Sequence, residues 1–335
     1  MTDERKLTYR DAIREGLALE MARDPTVFIM GEDLSGGLGG PYRDKGGGVF
    51  RVTRGLLPEF GEDRVRDTPI SESAFLGTGV GAALTGMRPV VEIMHIDFIG
   101  VCFDQIINQA AKNCYMFGGQ AHVPMVIRTT IGAGCNAAAQ HSQSFYSMLV
   151  HIPGLKVVLP ATPFDAKGLM IAAIRDENPV VFVENKMLYG TEGHVPQEEY
   201  LVPLGKANVV REGKDVTVVA LSRMLLIALE AASVLEEKGI SLEVIDPRSL
   251  SPLDKETVID SVSKTGRLMI VDEDTPQCSI ASEIAAIVSE QCFDELDGPI
   301  RRVNAPHTPV PFSPALEKYF VPDVDRVIRT VKEMI

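Results

Sequence analysis

Unbroken apolar runs, rather than alternating ones, constrain this chain most. Residues 27–30, 89–93, 124–128, 156–159 and 180–184 are largely apolar from end to end. A strand with apolar side chains on both faces must be covered on both, which calls for parallel pairing and crossover helices. Stretches of helical spacing separate the runs, so the predicted class is α/β, a parallel sheet with helices on both faces. Across residues 103–117, Phe103, Ile106, Ile107, Ala110, Ala111 and Cys114 predict one apolar helix face, closed by Gly118 and Gly119.

The same alternation returns after an interruption. Residues 191–204 lose the pattern and read as a linker by composition. Beyond them, residues 216–221, 242–245, 267–271 and 300–303 predict a smaller sheet, and Ser222 is placed to cap a helix over 223–238 that Gly239 ends. The expected organisation is a domain over 1–190, a linker over 191–204 and a second domain over 205–335. At 335 residues the chain is long enough for two cores.

Charge and cysteine usage exclude several classes. The net charge of −13 comes from dispersed acids, which argues against nucleic acid as a partner. No signal-like or membrane-length apolar segment is evident. Five widely spaced cysteines without a Cys-x-x-Cys point to reduced thiols, a cytoplasmic setting and no zinc site.

Three kinds of candidate site stand out. Glu72 follows Ser71 at the mouth of a small-residue helix. It is either a helix-start carboxylate favoured by the macrodipole or an acid–base group enclosed by apolar residues. His141 lies in a small polar loop after the Gly132–Gly134 turn, an acid–base candidate or a solvated loop histidine. Gly77-Thr-Gly79-Val-Gly-Ala82 and Gly132-Ala-Gly134-Cys-Asn-Ala137 fit a dinucleotide fingerprint in letters, which keeps an NAD-binding oxidoreductase as an alternative. In the first, Gly77 and Gly81 are read more simply as permitting close helix packing. The second lacks a ribose-binding acid about 20 residues on. Seven glycines over residues 35–48 form a further loop, placed where ligands meet parallel sheets or simply on the surface.

Several stretches together carry a resemblance. They are Asp67-Thr-Pro-Ile-Ser-Glu72, Gly86-Met-Arg-Pro-Val90, Ala139-Gln-His-Ser-Gln143, Pro153-Gly-Leu-Lys-Val157 and Ala173-Ile-Arg-Asp-Glu-Asn-Pro-Val180. In order and over nearly the whole chain, the sequence resembles the β subunits of thiamine-diphosphate-dependent 2-oxo acid and acetoin dehydrogenases. The resemblance implies a pyrimidine-binding domain followed by a transketolase C-terminal-like domain. It implies that Glu72 hydrogen-bonds N1′ of the aminopyrimidine, favouring the imino tautomer that takes the proton from thiazolium C2. Phe98 would pack on the pyrimidine, with Glu32, Ile70, Ser71 and Met94 also lining the cofactor. His141 would orient or exchange protons with substrate and assist transfer to lipoamide. Met125, Ala173, Ile174, Asp176 and Asn178 match a potassium site built mostly from backbone oxygens.

One element of this chemistry is missing from the chain. Enzymes of the class hold the diphosphate through Mg2+ bound by a Gly-Asp-Gly and a later Asn, and no Gly-Asp-Gly occurs here. The resemblance therefore implies an α subunit supplying the diphosphate and Mg2+ half in a heterotetramer of two α and two β chains. It also implies docking to the dihydrolipoyl acyltransferase core of a complex. Asp97-Phe-Ile-Gly-Val-Cys-Phe-Asp-Gln105, residues 271–279 and residues 307–313 look most like acetoin dehydrogenase β chains. Pyruvate and branched-chain 2-oxo acids are the alternative substrates, and a catalytically inert scaffold subunit is the alternative role.

Overall fold

Thr8 ends a short strand, β1 (Lys6–Thr8), and caps helix α1 (Tyr9–Arg23) by accepting the Asp11 N–H at 3.1 Å. The computed structural model describes residues 5–36 and 46–335. Most of the glycine-rich stretch, residues 37–45, lies outside the described residues. The described chain separates into two compact units. The first runs to Ile131 and resumes over Leu149–Leu204, and the second comprises Gly132–Met148 and Gly205–Ile335.

In the first unit, β2 (Val27–Gly31) leads to α2 (Leu56–Phe60), β3 (Val65–Asp67), α3 (Glu72–Leu84) and β4 (Arg88–Ile93). After α4 (Asn113–Met116) come β5 (Val126–Ile131), α5 (Ser147–Val150), β6 (Lys156–Val158), α6 (Pro163–Arg175), β7 (Val180–Asn185) and β8 (Glu192–His194). The six strands from β2 to β7 lie in the order β6-β7-β5-β4-β2-β3, and every pairing among them is parallel. All residues of β2, β5 and β7 are buried, as unbroken apolar runs require.

The stretch 191–204, read from composition as a linker, is tied to this first unit. β8 pairs antiparallel with β1. The buried Lys167 ammonium donates to the carbonyls of Pro196 at 2.6 Å and Glu198 at 2.9 Å, and Tyr200 stacks on Phe164 with ring centroids 4.5 Å apart. No periodic signal announces such a strap, because carbonyls caught by one buried cation hold it.

The helix expected over 103–117 is not continuous. Ile96–Cys102 is 3-10, Gln105–Ala110 is a π-helical turn, and α-helix is confined to residues 103–104 and α4. The Ala111 N–H reaches Ile106 O at 2.9 Å across the wide turn. The π turn shifts the register downstream, so Asn113 is buried while Cys114 is only half-buried. Gly154 packs where a Cβ would lie 2.1 Å from Ala111 O, at a φ of +99°. Close packing in α3 also differs from expectation. A Cβ on Gly79 would meet Val91 at 2.6 Å, whereas one on Gly81 meets nothing, so Gly79 rather than Gly81 lets α3 approach β4.

The second unit begins with β9 (Asn208–Arg211), β10 (Val216–Ala220), α7 (Met224–Glu236), β11 (Leu242–Asp246) and β12 (Ser249–Ser251). It continues with α8 (Lys255–Thr265), β13 (Leu268–Asp272), α9 (Ile280–Gln291), β14 (Arg301–Asn304), α10 (Pro314–Phe320) and α11 (Val324–Met334). Its five-stranded sheet has the order β14-β13-β10-β11-β9, parallel except for β9 at the edge. Ser222 does not cap α7 with its side chain. Its φ is +50°, its hydroxyl is buried without a partner among the described residues, and Arg223 occupies the cap position.

Neither dinucleotide fingerprint forms its turn. Gly77–Ala82 lies within α3, and no helix of the described residues opens between Gly132 and Ser147. No helix of the described residues is long and apolar enough to cross a membrane, and all five cysteines are free.

Candidate active site

The carboxyl ends of β2, β3 and β4 bring Glu32, Glu72 and the Met94–Phe98 turn to one edge of the first unit's sheet. Glu72 is the first residue of α3 and is nine-tenths buried. The Ser71 side chain makes no cap bond, so the helix start leaves its hydroxyl unused. Burial and then the negative charges of Glu72, Asp33 and Glu92 push the Glu32 carboxyl above its ordinary range. Glu32 Oε1 is itself buried with no hydrogen-bond partner among the described residues. An orphaned carboxyl oxygen beside a second carboxylate fits a site that holds and hands over a proton.

Other sequence-named residues line the same edge. Phe98 meets the His95 ring edge-on at 5.6 Å, and Met94 O accepts the Thr130 hydroxyl at 2.7 Å. Ile70 stands 84% exposed, an unusual setting for a large aliphatic side chain next to a buried acid. Ser73 Oγ donates to Val101 O at 2.6 Å, fastening α3 to the turn that carries Phe98. Burial, reinforced by the charge of Glu72, pushes the Cys102 thiol up to about 12, which makes it inert.

Beneath these residues lies an ion network that periodicity does not reveal. Arg128 on β5 donates to Glu184 on β7 at 2.7 and 2.9 Å and to Glu92 on β4, and Tyr189 OH donates to Glu184 at 2.7 Å. Burial opposes the guanidinium charge, but Glu184 and Glu92 outweigh it and raise the Arg128 pKa. Burial likewise raises the Glu92 carboxyl, against the pull of Arg128. The available sequence signal was the charged residue inside each of three apolar runs.

His141 sits in the other unit, half-buried. Its loop turns through left-handed positions at Gly132, Gly134, Asn136 and Ala138. Glu317 accepts the N–H groups of Gly134 at 2.7 Å and Asn136 at 2.9 Å, and Glu273 accepts that of Ala133 at 2.6 Å. Tyr146 OH donates to Asp272, and Ser147 Oγ donates to Asp274 at 2.7 Å. Burial pushes the Asp272 carboxyl up to about 6 and that of Asp274, aided by the charge of Asp272, up to about 7.

Met125, Ala173, Ile174, Asp176 and Asn178 gather at the opposite, amino end of the first sheet, where β5 and β7 begin. Arg88 Nη1 donates to Ile174 O at 3.0 Å and Asp176 O at 3.1 Å. Met125 O accepts the Val180 N–H at 2.9 Å, and Ala173 O that of Asp176 at 3.3 Å. The Asp176 carboxylate is taken by Lys156 and Asn178. A cation here would meet only second lone pairs of carbonyls that already have donors, and two of those carbonyls share Arg88. Among the described residues, no group of three His, Cys, Asp or Glu side chains could hold a metal.

Comparison with known proteins agrees with both units. Residues 5–192 match the transketolase pyrimidine binding domain, and residues 205–327 match the transketolase C-terminal domain. The chain is 52% identical over 334 residues to the β subunit of acetoin:2,6-dichlorophenolindophenol oxidoreductase from Bacillus subtilis, covering 99% of this chain and 98% of that one. It is 54% identical over 330 residues to the protein of the same name from Cupriavidus necator, covering 98% of this chain and 97% of that one. Identity to the 2-oxoisovalerate dehydrogenase β subunit of Bacillus subtilis is 46% over 330 residues, covering 98% of each chain. In fold, the chain superposes on a split-gene transketolase in an inactive β4 tetramer with a TM-score of 0.79, at 24% identity and 98% coverage of each chain. With transketolase pyrimidine-binding and C-terminal domains in this order, the chain belongs to the β-subunit family of thiamine-diphosphate-dependent 2-oxo acid and acetoin dehydrogenases.

Proposed function

We propose that this chain is the β subunit of an acetoin-cleaving dehydrogenase component, working in the cytoplasm with an α subunit in a heterotetramer. The observation that carries the reading is the pair of carboxyls at the mouth of α3: buried Glu72, and Glu32 with its orphaned oxygen. That pair fits the pyrimidine end of thiamine diphosphate, which when bound supplies the carbanion chemistry. Glu72 holds the proton at pyrimidine N1′. Burial, with the charges of Glu72, Asp33 and Glu92, pushes the Glu32 carboxyl upward and so favours its protonated form. Phe98 and exposed Ile70 offer apolar surface to the ring, with Met94 and Ser71 completing the wall.

His141 then serves the substrate side, orienting its oxygen and moving a proton there. Acetoin would part at the bond between its carbonyl and carbinol carbons, giving acetaldehyde and an acetyl unit. Lipoamide disulfide takes that unit as a thioester, its second sulfur leaving as a thiol, so the disulfide is the two-electron acceptor. The acyltransferase core of the complex would carry that lipoamide.

Mg2+ would sit with the diphosphate on the α subunit, because no Gly-Asp-Gly occurs here. Met125, Ala173, Ile174, Asp176 and Asn178 are the residues that would hold a potassium ion, through the remaining lone pairs of carbonyls that already accept a donor. Acetoin is favoured over pyruvate and branched 2-oxo acids because the two acetoin-named relatives share 52% and 54% identity, against 48% for a pyruvate dehydrogenase relative and 46% for the 2-oxoisovalerate relative. Reconstitution with the α subunit and comparison of acetoin, pyruvate and 3-methyl-2-oxobutanoate tests this. Acetoin should give the highest kcat/KM, and preference for a branched 2-oxo acid would overturn the substrate assignment.

A further inference from the structure

The loop that carries His141 is held by its backbone, and the holders are carboxylates from far along the chain. Glu317, in the first turn of α10, places one oxygen on the Gly134 N–H at 2.7 Å and the other on the Asn136 N–H at 2.9 Å. Glu273 takes the Ala133 N–H at 2.6 Å, while Arg223 donates to Ala133 O at 3.0 Å. Both acids are almost sealed from solvent, Glu317 at 2% exposure and Glu273 at 5%. Positive φ at Gly132, Gly134, Asn136 and Ala138 sets the loop in the conformation whose successive N–H groups form an anion-binding concavity. Here a carboxylate of the chain itself fills that concavity.

A second fastening lies beyond the histidine, where Tyr146 bonds to Asp272 and Ser147 to Asp274. His141 thus lies between two carboxylate anchors, and its own N–H donates to Ala138 O at 3.4 Å. Two buried acids on three consecutive or near-consecutive amides are more than chain packing requires, since an apolar contact would avoid burying their charge. They fix direction as well as position, because each charge-assisted bond to an N–H orients the peptide plane.

We infer that Glu317 and Glu273 are positioning residues for His141, acting through the backbone of residues 133–136. The inference rests on the substrate-side role proposed for His141. Neither acid is assigned contact with substrate or cofactor. Their effect belongs on turnover rather than on substrate affinity, because a displaced proton-transfer group slows chemistry in bound substrate.

The test uses the reconstituted α–β enzyme with Glu317→Gln, Glu273→Gln, His141→Ala and the double variant His141→Ala with Glu317→Gln. Glu317→Gln puts an amide NH2 against a backbone N–H and should lower kcat about 10- to 100-fold while KM stays within about twofold. Glu273→Gln should do the same more mildly. Hydrogen exchange followed by mass spectrometry should speed up over residues 133–141 and stay unchanged over β10, β11 and β13. In the His141→Ala background, Glu317→Gln should add no further loss.

Wild-type kcat in Glu317→Gln, with His141→Ala slow, would overturn the positioning role alone. The same proportional loss in both backgrounds would also overturn it, as would faster exchange across the whole second unit. Full activity in His141→Ala would instead sink the histidine's role and this inference with it. Faster exchange confined to residues 133–141 in Glu317→Gln would then still identify the carboxylate as a purely structural anchor.

Discussion

Glu72 shows how far one side chain can be argued and what decides it. The sequence left it between a helix-start carboxylate and an acid–base group, and both descriptions fit the folded chain. It begins α3, yet it is nine-tenths buried and its charge is felt by Glu32, one oxygen of which is buried without a partner among the described residues. Glu72→Gln should leave subunit assembly intact and slow exchange of the bound cofactor's C2 proton by about 100- to 10,000-fold, measured by quenched-flow NMR. Exchange at the wild-type rate would leave only the helix-start role. Arg128 makes a different prediction, about stability. It is fully buried between Glu92 and Glu184, so Arg128→Met strands two carboxylates and should cost about 3–5 kcal/mol in a denaturant titration. Glu72 and His141 could be proposed from sequence because each stands at a turn beside small residues. Glu273 and Glu317 were not, since their partners are backbone N–H groups 140 and 183 positions away.

At the scale of elements, the strands that are unbroken apolar runs were read with little error, because such a run has few other fates than a covered parallel strand; the short edge strands β3 and β9, which lack such runs, were missed. The helices were read less well where packing overrides period. The stretch 103–117 yields to a π turn at Gln105–Ala110, beside the place where Gly154 presses on Ala111. Gly154→Ala would set a methyl 2.1 Å from that carbonyl oxygen in a left-handed backbone. It should lower stability by about 3 kcal/mol or more, read by thermal unfolding. The β13 end carries a pH dependence of definite sign. Asp272 and Asp274 are pushed up to about 6 and about 7, so between about pH 4 and 7 the folded chain binds protons that the unfolded chain has released. Stability from these groups is therefore greatest at the acid end of that window and falls as pH rises through it. Asp274→Asn should flatten the decline in melting temperature between about pH 5 and 8; an unchanged slope would refute the assignment.

For the whole molecule, the central expectation is incompleteness. Without a Gly-Asp-Gly the isolated chain should bind thiamine diphosphate and Mg2+ weakly and turn over nothing, by calorimetry and assay. Adding the α subunit should restore both, and tight binding by the β chain alone would refute the split site. The sequence by itself determined the class of fold, the order of two α/β units, the family and the residues at turns, because these follow from local period and contiguous motifs. Only the tertiary structure decided that residues 132–148 fold with the second unit, that 196–200 strap onto the first, and which acids hold the His141 loop. Those outcomes depend on side-chain hydrogen bonds and ring contacts between residues apart in sequence, and neither hydrophobic period nor composition encodes such contacts.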